Sequence, residues 1–200
     1  SFRATVVSRN GDLRLDLNDF VFKKPVLTLI KRGSDVLIIQ HMKKEFYLMK
    51  YGVLDLEKLA GIDILPDILL PSITGRVYII DEHSSVSPLD FTTLRIEGSN
   101  MHEEIQFNED SLPTRTTITS LPVVYILTLK KLNRYNNVFF PQKISLTDGE
   151  KVLEISYSEV HINEYIDNSS FNIENSIPRG YVEEHSADTS SVSSEYEACE

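Results

Sequence analysis

Tryptophan is absent from this chain of 200 residues, and cysteine occurs only once, at Cys199. A single cysteine excludes an internal disulfide and a metal cluster built on several thiolates. The longest apolar runs, such as Val36–Ile39 and Val123–Leu127, are far shorter than the roughly 20 residues that cross a bilayer, so no membrane-spanning segment is predicted. No signal-like apolar segment precedes Phe2, and the cellular compartment does not follow from that absence.

Basic residues are also scarce, with 20 Lys and Arg against 30 Asp and Glu. Residues 183–200 contain six acidic side chains and no Lys or Arg, which predicts a solvated, disordered tail rich in Ser and Glu. The remaining body has no broad basic field, so a nucleic-acid partner is not expected. A chain of this length buries roughly 70% of its unfolded surface, and we predict one domain over residues 1–182.

The sequence lacks the patterns that carry catalysis or bind cofactors. There is no Gly-x-Ser-x-Gly elbow, no HExxH spacing and no glycine-rich phosphate loop, and the five histidines are scattered along the chain. The neighbouring carboxylates Asp63 and Asp67, Glu103 and Glu104, and Glu183 and Glu184 are expected to be solvated rather than to act as acid and base. Neither an enzyme, nor a metal site, nor a cofactor is predicted.

Alternating apolar and polar residues predict strands along most of the chain. Leu13, Leu15 and Leu17 alternate with charged residues, and Asn10-Gly11 before them is typical of a hairpin turn. The first two strands should therefore pair antiparallel. Further predicted strands include Val26–Ile30, Val36–His41, Phe46–Lys50, Arg76–Ile80, Glu103–Asn108, Val123–Lys131 and Val138–Leu146.

Between Asp55 and Ile73 the apolar spacing changes to threes and fours, which predicts short helical pieces divided by Pro66 and Pro71. Many consecutive strands with one helical insert predict a mainly β fold with a few short helices. The expected architecture is a strongly curved antiparallel sheet of about eleven strands, forming an incomplete (half) barrel, with the helices covering its concave face.

Three stretches, in the same order along the chain, carry a family resemblance. Leu153–Tyr181 contains a strand ending in Asn163, a segment with an Asp and a following Phe, and a closing Pro-x-Gly. Phe22–Ile38 has a proline and a glycine turn between two strands, and Leu59–Gly75 is a helical element. Together they resemble the LolA/LolB superfamily of bacterial lipoprotein carriers and receptors, although the Trp that carriers often place after the glycine turn is missing.

The resemblance implies a function without chemistry. A LolA-like protein is a periplasmic carrier, or chaperone, that holds the acyl chains of lipoproteins in an apolar cavity between the inner and outer membranes. The implied partners are lipoprotein acyl chains or another lipid, an inner-membrane lipoprotein-releasing transporter and an outer-membrane acceptor. Two alternatives stay open: a LolB-like acceptor, which would need a lipidated cysteine before Ser1, and a regulator or sensor on the same fold that binds a protein partner.

Some predicted strands are apolar on both faces, so helices or a ligand must cover the second face. If part of that second face stays uncovered, it could bind acyl chains with a transfer free energy of about 0.8 kcal/mol per buried CH₂. Lys43-Lys44 and Lys130-Lys131 are candidates for transient contact with an anionic membrane surface, although such pairs are more typical of solvated turns. The predicted cavity lining comprises Ile38, Met49, Leu56, Leu59, Ile64, Leu69, Ile73, Ile79, Leu94, Ile126 and Val138.

Overall fold

The computed structural model describes residues 2–57, 64–80 and 83–184. These residues form two compact units, whereas the sequence predicts one domain. The terminal unit takes the described residues of Ser1–Leu54 and Ile166–Glu200, and the central unit takes those of Asp55–Tyr165. Residues 185–200, which make up most of the predicted acidic tail, lie outside the described part of the chain.

The terminal unit contains a six-stranded sheet. Its strands, in spatial order, are β1 (Phe2–Arg9), β2 (Asp12–Asp19), β3 (Pro25–Arg32), β4 (Asp35–Gln40), β5 (Glu45–Lys50) and the last described strand, β13 (Val182–Glu183). Neighbouring strands are antiparallel, except that β13 runs parallel to β5. Asn10 and Gly11 have φ angles of 52° and 88°, as a two-residue hairpin turn requires. The predicted pairing of the first two strands is confirmed.

One face of this sheet packs against the C-terminal part of the same unit. The buried cluster comprises Ile30, Leu37, Ile39, Phe46 and Phe171. Phe171 ends a 3-10 helix, Asn168–Phe171, which is followed by a single helical turn, Ile173–Ser176. The Arg9 guanidinium lies 5.4 Å from the Phe171 ring centroid and donates a hydrogen bond of 2.6 Å to the carbonyl of Ile166. Arg9 therefore fastens the C-terminal segment to the sheet.

The central unit contains a seven-stranded antiparallel meander. Its strands are β6 (His83–Pro88), β7 (Thr93–Gly98), β8 (His102–Phe107), β9 (Pro113–Ser120), β10 (Val123–Tyr135), β11 (Val138–Thr147) and β12 (Val152–Ser156), and each strand pairs with the next. Shifts of register in the β6–β7 and β8–β9 pairs mark bulges, which bend and twist a sheet.

The insert contains the α-helix α1 (Pro66–Ser72). Pro66 occupies the start of the helix, where its missing N–H is not needed. Gly75 follows with φ +74°, and a Cβ atom added there would lie under 3.0 Å from the ring of Phe140. The Tyr157 hydroxyl donates a hydrogen bond of 2.8 Å to the carbonyl of Ile73. The glycine thus lets the end of the insert approach the aromatic side chains of the sheet.

The predicted fold class, mainly β with a few short helices and an open, curved antiparallel sheet, is confirmed. Thirteen strands occur in the described residues, divided between two sheets that do not close. The predicted strand at Arg76–Ile80 is wrong, because these residues join no ladder and the Ile80 amide donates to a side-chain carboxylate instead. None of the described helices has the length and apolar character needed to cross a bilayer.

Candidate functional site

The seven-stranded sheet has one apolar face. Side chains paired directly across strands point to the same face, so the register defines its rows. The first row comprises Leu94, Ile105, Thr116, Leu127, Leu146 and Leu153, and the neighbouring row comprises Ile96, Glu103, Ile118 and Tyr125. Ile118 and Leu127 are fully buried at the centre. The two rows form a continuous apolar surface in which one member, Glu103, carries a carboxyl group.

The opposite face of the same sheet is polar. Arg95 pairs with Glu97 at 2.5 Å and with Glu104 at 3.4 Å, and Lys143 pairs with Glu154 at 2.8 Å. All of these side chains retain substantial exposure. The two faces of the central sheet are therefore distinct in character, as expected for an antiparallel sheet with one solvated side.

We call Leu94, Ile96, Glu103 and Ile105 the β7–β8 patch. Residues 76–80, which follow the end of the insert, contact this patch, because Ile80 packs in one cluster with Ile96 and Ile105, flanked by Tyr78, Met101 and Phe107. Residues 76–80 belong to no strand. Residues 76–80 are thus held to the patch by the packing of Ile80 and the hydrogen bond from its amide, without a sheet ladder.

Glu103 is fully buried within the β7–β8 patch. Its Oε2 accepts a hydrogen bond of 3.3 Å from the Ile80 amide, while its Oε1 has no hydrogen-bond partner among the described residues. Burial raises the pKa of Glu103 to about 7, and the backbone hydrogen bond from Ile80 offsets this only in part. The carboxyl group therefore exchanges its proton near neutral pH. The expectation that Glu103 is solvated is wrong, whereas its neighbour Glu104 lies on the polar face.

The predicted lining residues of the central unit occupy several different places. Leu94 is half-buried in the β7–β8 patch, and Leu69 and Ile73 are buried on α1 and at its C-terminal end. Ile126 pairs with Thr117 and Thr147, which places it on the polar face, opposite to Leu94. The structure therefore brings Leu69 and Ile73 together and separates Ile126 from Leu94.

The other predicted positions assigned to the central unit differ in exposure. Leu56 is buried and Ile64 is half-buried, whereas Ile79 and Val138 are 48% and 41% exposed. Ile79 lies in the segment that contacts the β7–β8 patch. Leu59 lies outside the described residues.

In the terminal unit, Ile38 and Met49 share one face of the six-stranded sheet. The register pairs Val36 with Met49 and Ile38 with Tyr47, so all four point to the same side. Ile38 is buried and Met49 is half-buried. Met49 also borders an open groove of about 860 Å³, lined by Arg32, Gly33, Asp35, Leu48, Met49, Lys50, Asn172, Ile173 and Glu174.

An exposed apolar tip on the turn between β2 and β3 was not among the predicted sites. Phe20, Val21 and Phe22 are 63%, 72% and 75% exposed, and Lys23 and Lys24 follow them directly. The Asp19 carboxylate accepts hydrogen bonds from the amides of Val21 and Phe22, at 2.9 and 2.7 Å, and so fixes the turn. The signal was present in the sequence as an apolar triplet beside two lysines at a turn.

The described residues contain no group of three or more His, Cys, Asp or Glu side chains arranged to bind a metal ion. The geometry instead defines a class: a mainly β protein with open sheets, apolar sheet faces and a buried carboxyl group on one of them. No protein-family model matches the chain, and no curated protein matches its sequence.

Comparison with solved structures gives the fold a more specific description. A LolA superfamily protein from Nitrosomonas europaea superposes with a TM-score of 0.58, covering 87% of this chain and 82% of that one, at 12% sequence identity. This chain has a LolA-like fold.

Proposed function

We propose that this protein is a periplasmic lipoprotein carrier, which binds the acyl chains of lipoproteins and shields them between the inner and outer membranes. The LolA-like fold, a binding fold rather than a typical enzyme fold, supports the proposal. The apolar face of the central sheet is the observation that carries it. An inner-membrane lipoprotein-releasing transporter and an outer-membrane acceptor would be its partners.

The β7–β8 patch is the best-supported entry point for an acyl chain. Leu94 keeps part of its surface exposed, and the neighbouring segment, residues 76–80, has no strand pairing to break. Burying ten methylene groups would contribute about 8 kcal/mol at 0.8 kcal/mol each, and the loss of translational and rotational freedom on binding offsets part of this gain. Leu69, Ile73 and Ile79 from the predicted lining are proposed to contact the same ligand.

A pair of matched charge insertions tests this site. Leu94→Glu places a carboxylate in the β7–β8 patch, whereas Val124→Glu places one on the polar face, where Val124 pairs with Thr119. We expect Leu94→Glu to weaken uptake of a fluorescent fatty acid at least tenfold and Val124→Glu to leave it unchanged, because only the first charge would be desolvated by the acyl chain.

Displacement of the probe by a triacylated lipopeptide would connect the site to lipoproteins. Leu94→Trp, which fills space without adding charge, provides a second variant if Leu94→Glu fails to fold by circular dichroism. Equal probe uptake by the wild type and by every Leu94 variant that folds would contradict the proposed site.

Contact with a membrane surface is a further part of the proposal. The exposed tip, Phe20–Phe22, combines apolar side chains that can enter the interfacial region with lysines that attract anionic lipid. We expect Phe20→Ser with Phe22→Ser to reduce sedimentation with vesicles that contain anionic phospholipid. Phe91→Ser removes another exposed phenylalanine, from a turn with no adjacent lysine, and should bind as the wild type does. Equal loss in both proteins would contradict a specific role for the tip.

The groove in the terminal unit favours a regulator or sensor as the second candidate. The outer edge of β5 pairs with β13 only at Glu45 and Phe46, and the groove borders the remaining edge near Leu48 and Lys50. An extended peptide could add to such an edge by backbone hydrogen bonds. Failure of the wild-type protein to bind any acyl probe would favour this candidate, and a lipidated cysteine before Ser1 in the cellular protein would favour a LolB-like acceptor.

A further inference from the structure

We propose that the Glu103 carboxyl group anchors the polar end of an acyl ligand, by donating a hydrogen bond from Oε1 to an ester or amide carbonyl oxygen. This inference rests on the proposed acyl-binding function and specifies the chemistry of its site. Apolar pockets typically use a few well-placed polar groups to fix the orientation of a ligand. Among the side chains of the two rows on the apolar face of the central sheet, Glu103 carries the carboxyl group that can do this.

The geometry leaves one oxygen of Glu103 free to bind. The Ile80 amide occupies Oε2 at 3.3 Å, and Oε1 is buried without a hydrogen-bond partner among the described residues. A buried polar atom without a partner is costly, and proteins retain few of them. A hydrogen bond from Oε1 to a ligand would remove this cost in the bound state.

The elements around Glu103 supply no counter-charge to Oε1 within the described residues. On β8 and its neighbours, alternation directs His102, Glu104, Arg95, Glu97 and Arg115 to the polar face. Among the described residues, three titratable groups lie nearer to the patch. Tyr78 donates to the sulfur of Met101 at 3.8 Å, the His83 ring lies 3.1 Å from the Ile80 carbonyl, and Tyr125 lies in the same row beyond Ile118.

This environment favours a neutral carboxylic acid over a carboxylate. Burial shifts the pKa of Glu103 upward to about 7, so the protonated form, which can donate a hydrogen bond, is populated at neutral and mildly acidic pH. The matching ligand group is an acceptor, as in the ester and amide linkages that join acyl chains to their carriers. A ligand that consists of hydrocarbon alone would gain nothing from Glu103.

Two probes of equal chain length separate the anchor from the apolar site. The methyl ester of a pyrene-labelled decanoic acid carries the acceptor, and pyrenyl-decane lacks it. At pH 6 the wild type should bind the ester about five- to tenfold more tightly than the alkane, the effect of one hydrogen bond. Glu103→Gln, which keeps a donor, should retain the preference, and Glu103→Met, which has similar volume but no donor, should lose it.

The pH dependence and a neighbouring residue provide the controls. Raising the pH to 9 should abolish the preference of the wild type but not that of Glu103→Gln, because the amide does not titrate. Glu104→Met, on the polar face, should behave as the wild type does.

Each outcome has a distinct meaning. A preference that survives in Glu103→Met, or binding of both probes to the wild type without preference, would overturn the anchor and leave the acyl site standing. Binding of neither probe to the wild type would overturn the proposed function and the anchor together.

Discussion

Replacing Glu103 by glutamine should stabilise the protein above neutral pH and have little effect in acid. The folded-state pKa of about 7 lies about 2.5 units above the ordinary value of 4.5, and each unit corresponds to about 1.36 kcal/mol. Below pH 4.5 the folded and unfolded chains both carry the proton, so burial costs no ionisation energy. As the pH rises from 4.5 to 7 the unfolded chain ionises first, and the folded state loses stability relative to it.

Above pH 7 the loss reaches its full value of about 3 kcal/mol. Glutamine has nearly the same shape and cannot ionise, so Glu103→Gln avoids this loss. The difference in unfolding free energy between the variant and the wild type should therefore grow by about 3 kcal/mol between pH 4 and pH 8. Contributions from all other titrating groups cancel in this difference.

Urea unfolding at several pH values measures the effect. Far-UV circular dichroism and tyrosine fluorescence provide the signals, since the chain has no tryptophan. Hydrogen exchange of the β7–β9 amides assigns the change to the central unit. Glu104→Gln, on the polar face, should shift stability by no more than about 0.5 kcal/mol at any of these pH values. A Glu103→Gln difference that is the same at pH 4 and pH 8 would refute the assignment of a buried, neutral carboxyl group.

Two further substitutions test the packing that positions the site. Gly75→Ala should cost about 2–4 kcal/mol, because it combines a left-handed backbone with a Cβ atom pressed into the Phe140 ring. Gly149→Ala has φ +97° but open space around it, so it should cost only about 1 kcal/mol, and equal costs in thermal unfolding would contradict the close approach. Arg9→Gln should cost about 1–2 kcal/mol and speed amide exchange around Phe171, since it removes a ring contact and the guanidinium hydrogen bonds to Ile166 and Asn168; unchanged exchange there would show that Arg9 does not fasten this segment.

Strand pairing in the terminal sheet was accessible from the sequence because local signals determine it. The alternation at Leu13, Leu15 and Leu17, together with the Asn10-Gly11 turn, specifies both the strands and their register. The mainly β fold class follows from repeating such signals along the chain. The division into two units has no comparable signal, because it depends on which strands pair over long distances.

The wrong strand at Arg76–Ile80 and the polar-face position of Ile126 show what cannot be predicted from a few consecutive residues alone. Val123–Leu127 is apolar at every position, so it shows no alternation that would tell which side chains face the apolar side of the sheet. The longer pattern resolves it, since Tyr125 continues as Leu127 and Leu129, whereas Ile126 continues as Thr128 and Lys130. The same reasoning places Glu103 in the apolar phase of Met101, Ile105 and Phe107, so its burial could have been predicted from alternation.

The predicted acyl-binding residues were harder to locate than the fold. Apolar type and membership of a strand do not tell which face a side chain occupies, and α1 adds side chains whose neighbours the sequence does not reveal. Alternation predicts that Glu103 is buried, but it does not predict the partners of the carboxylate oxygens. The Ile80 amide at Oε2 and the absence of a described partner at Oε1 depend on residues 76–80 and on the neighbouring strands, which the sequence alone does not place.

Native mass spectrometry of the protein purified from cells without detergent tests the central claim most directly. An acyl carrier should retain a bound lipid or acylated peptide, seen as a discrete added mass that Leu94→Glu loses and Val124→Glu keeps. Wild-type protein that shows only its bare mass, and that remains bare after incubation with a triacylated lipopeptide, would contradict the account.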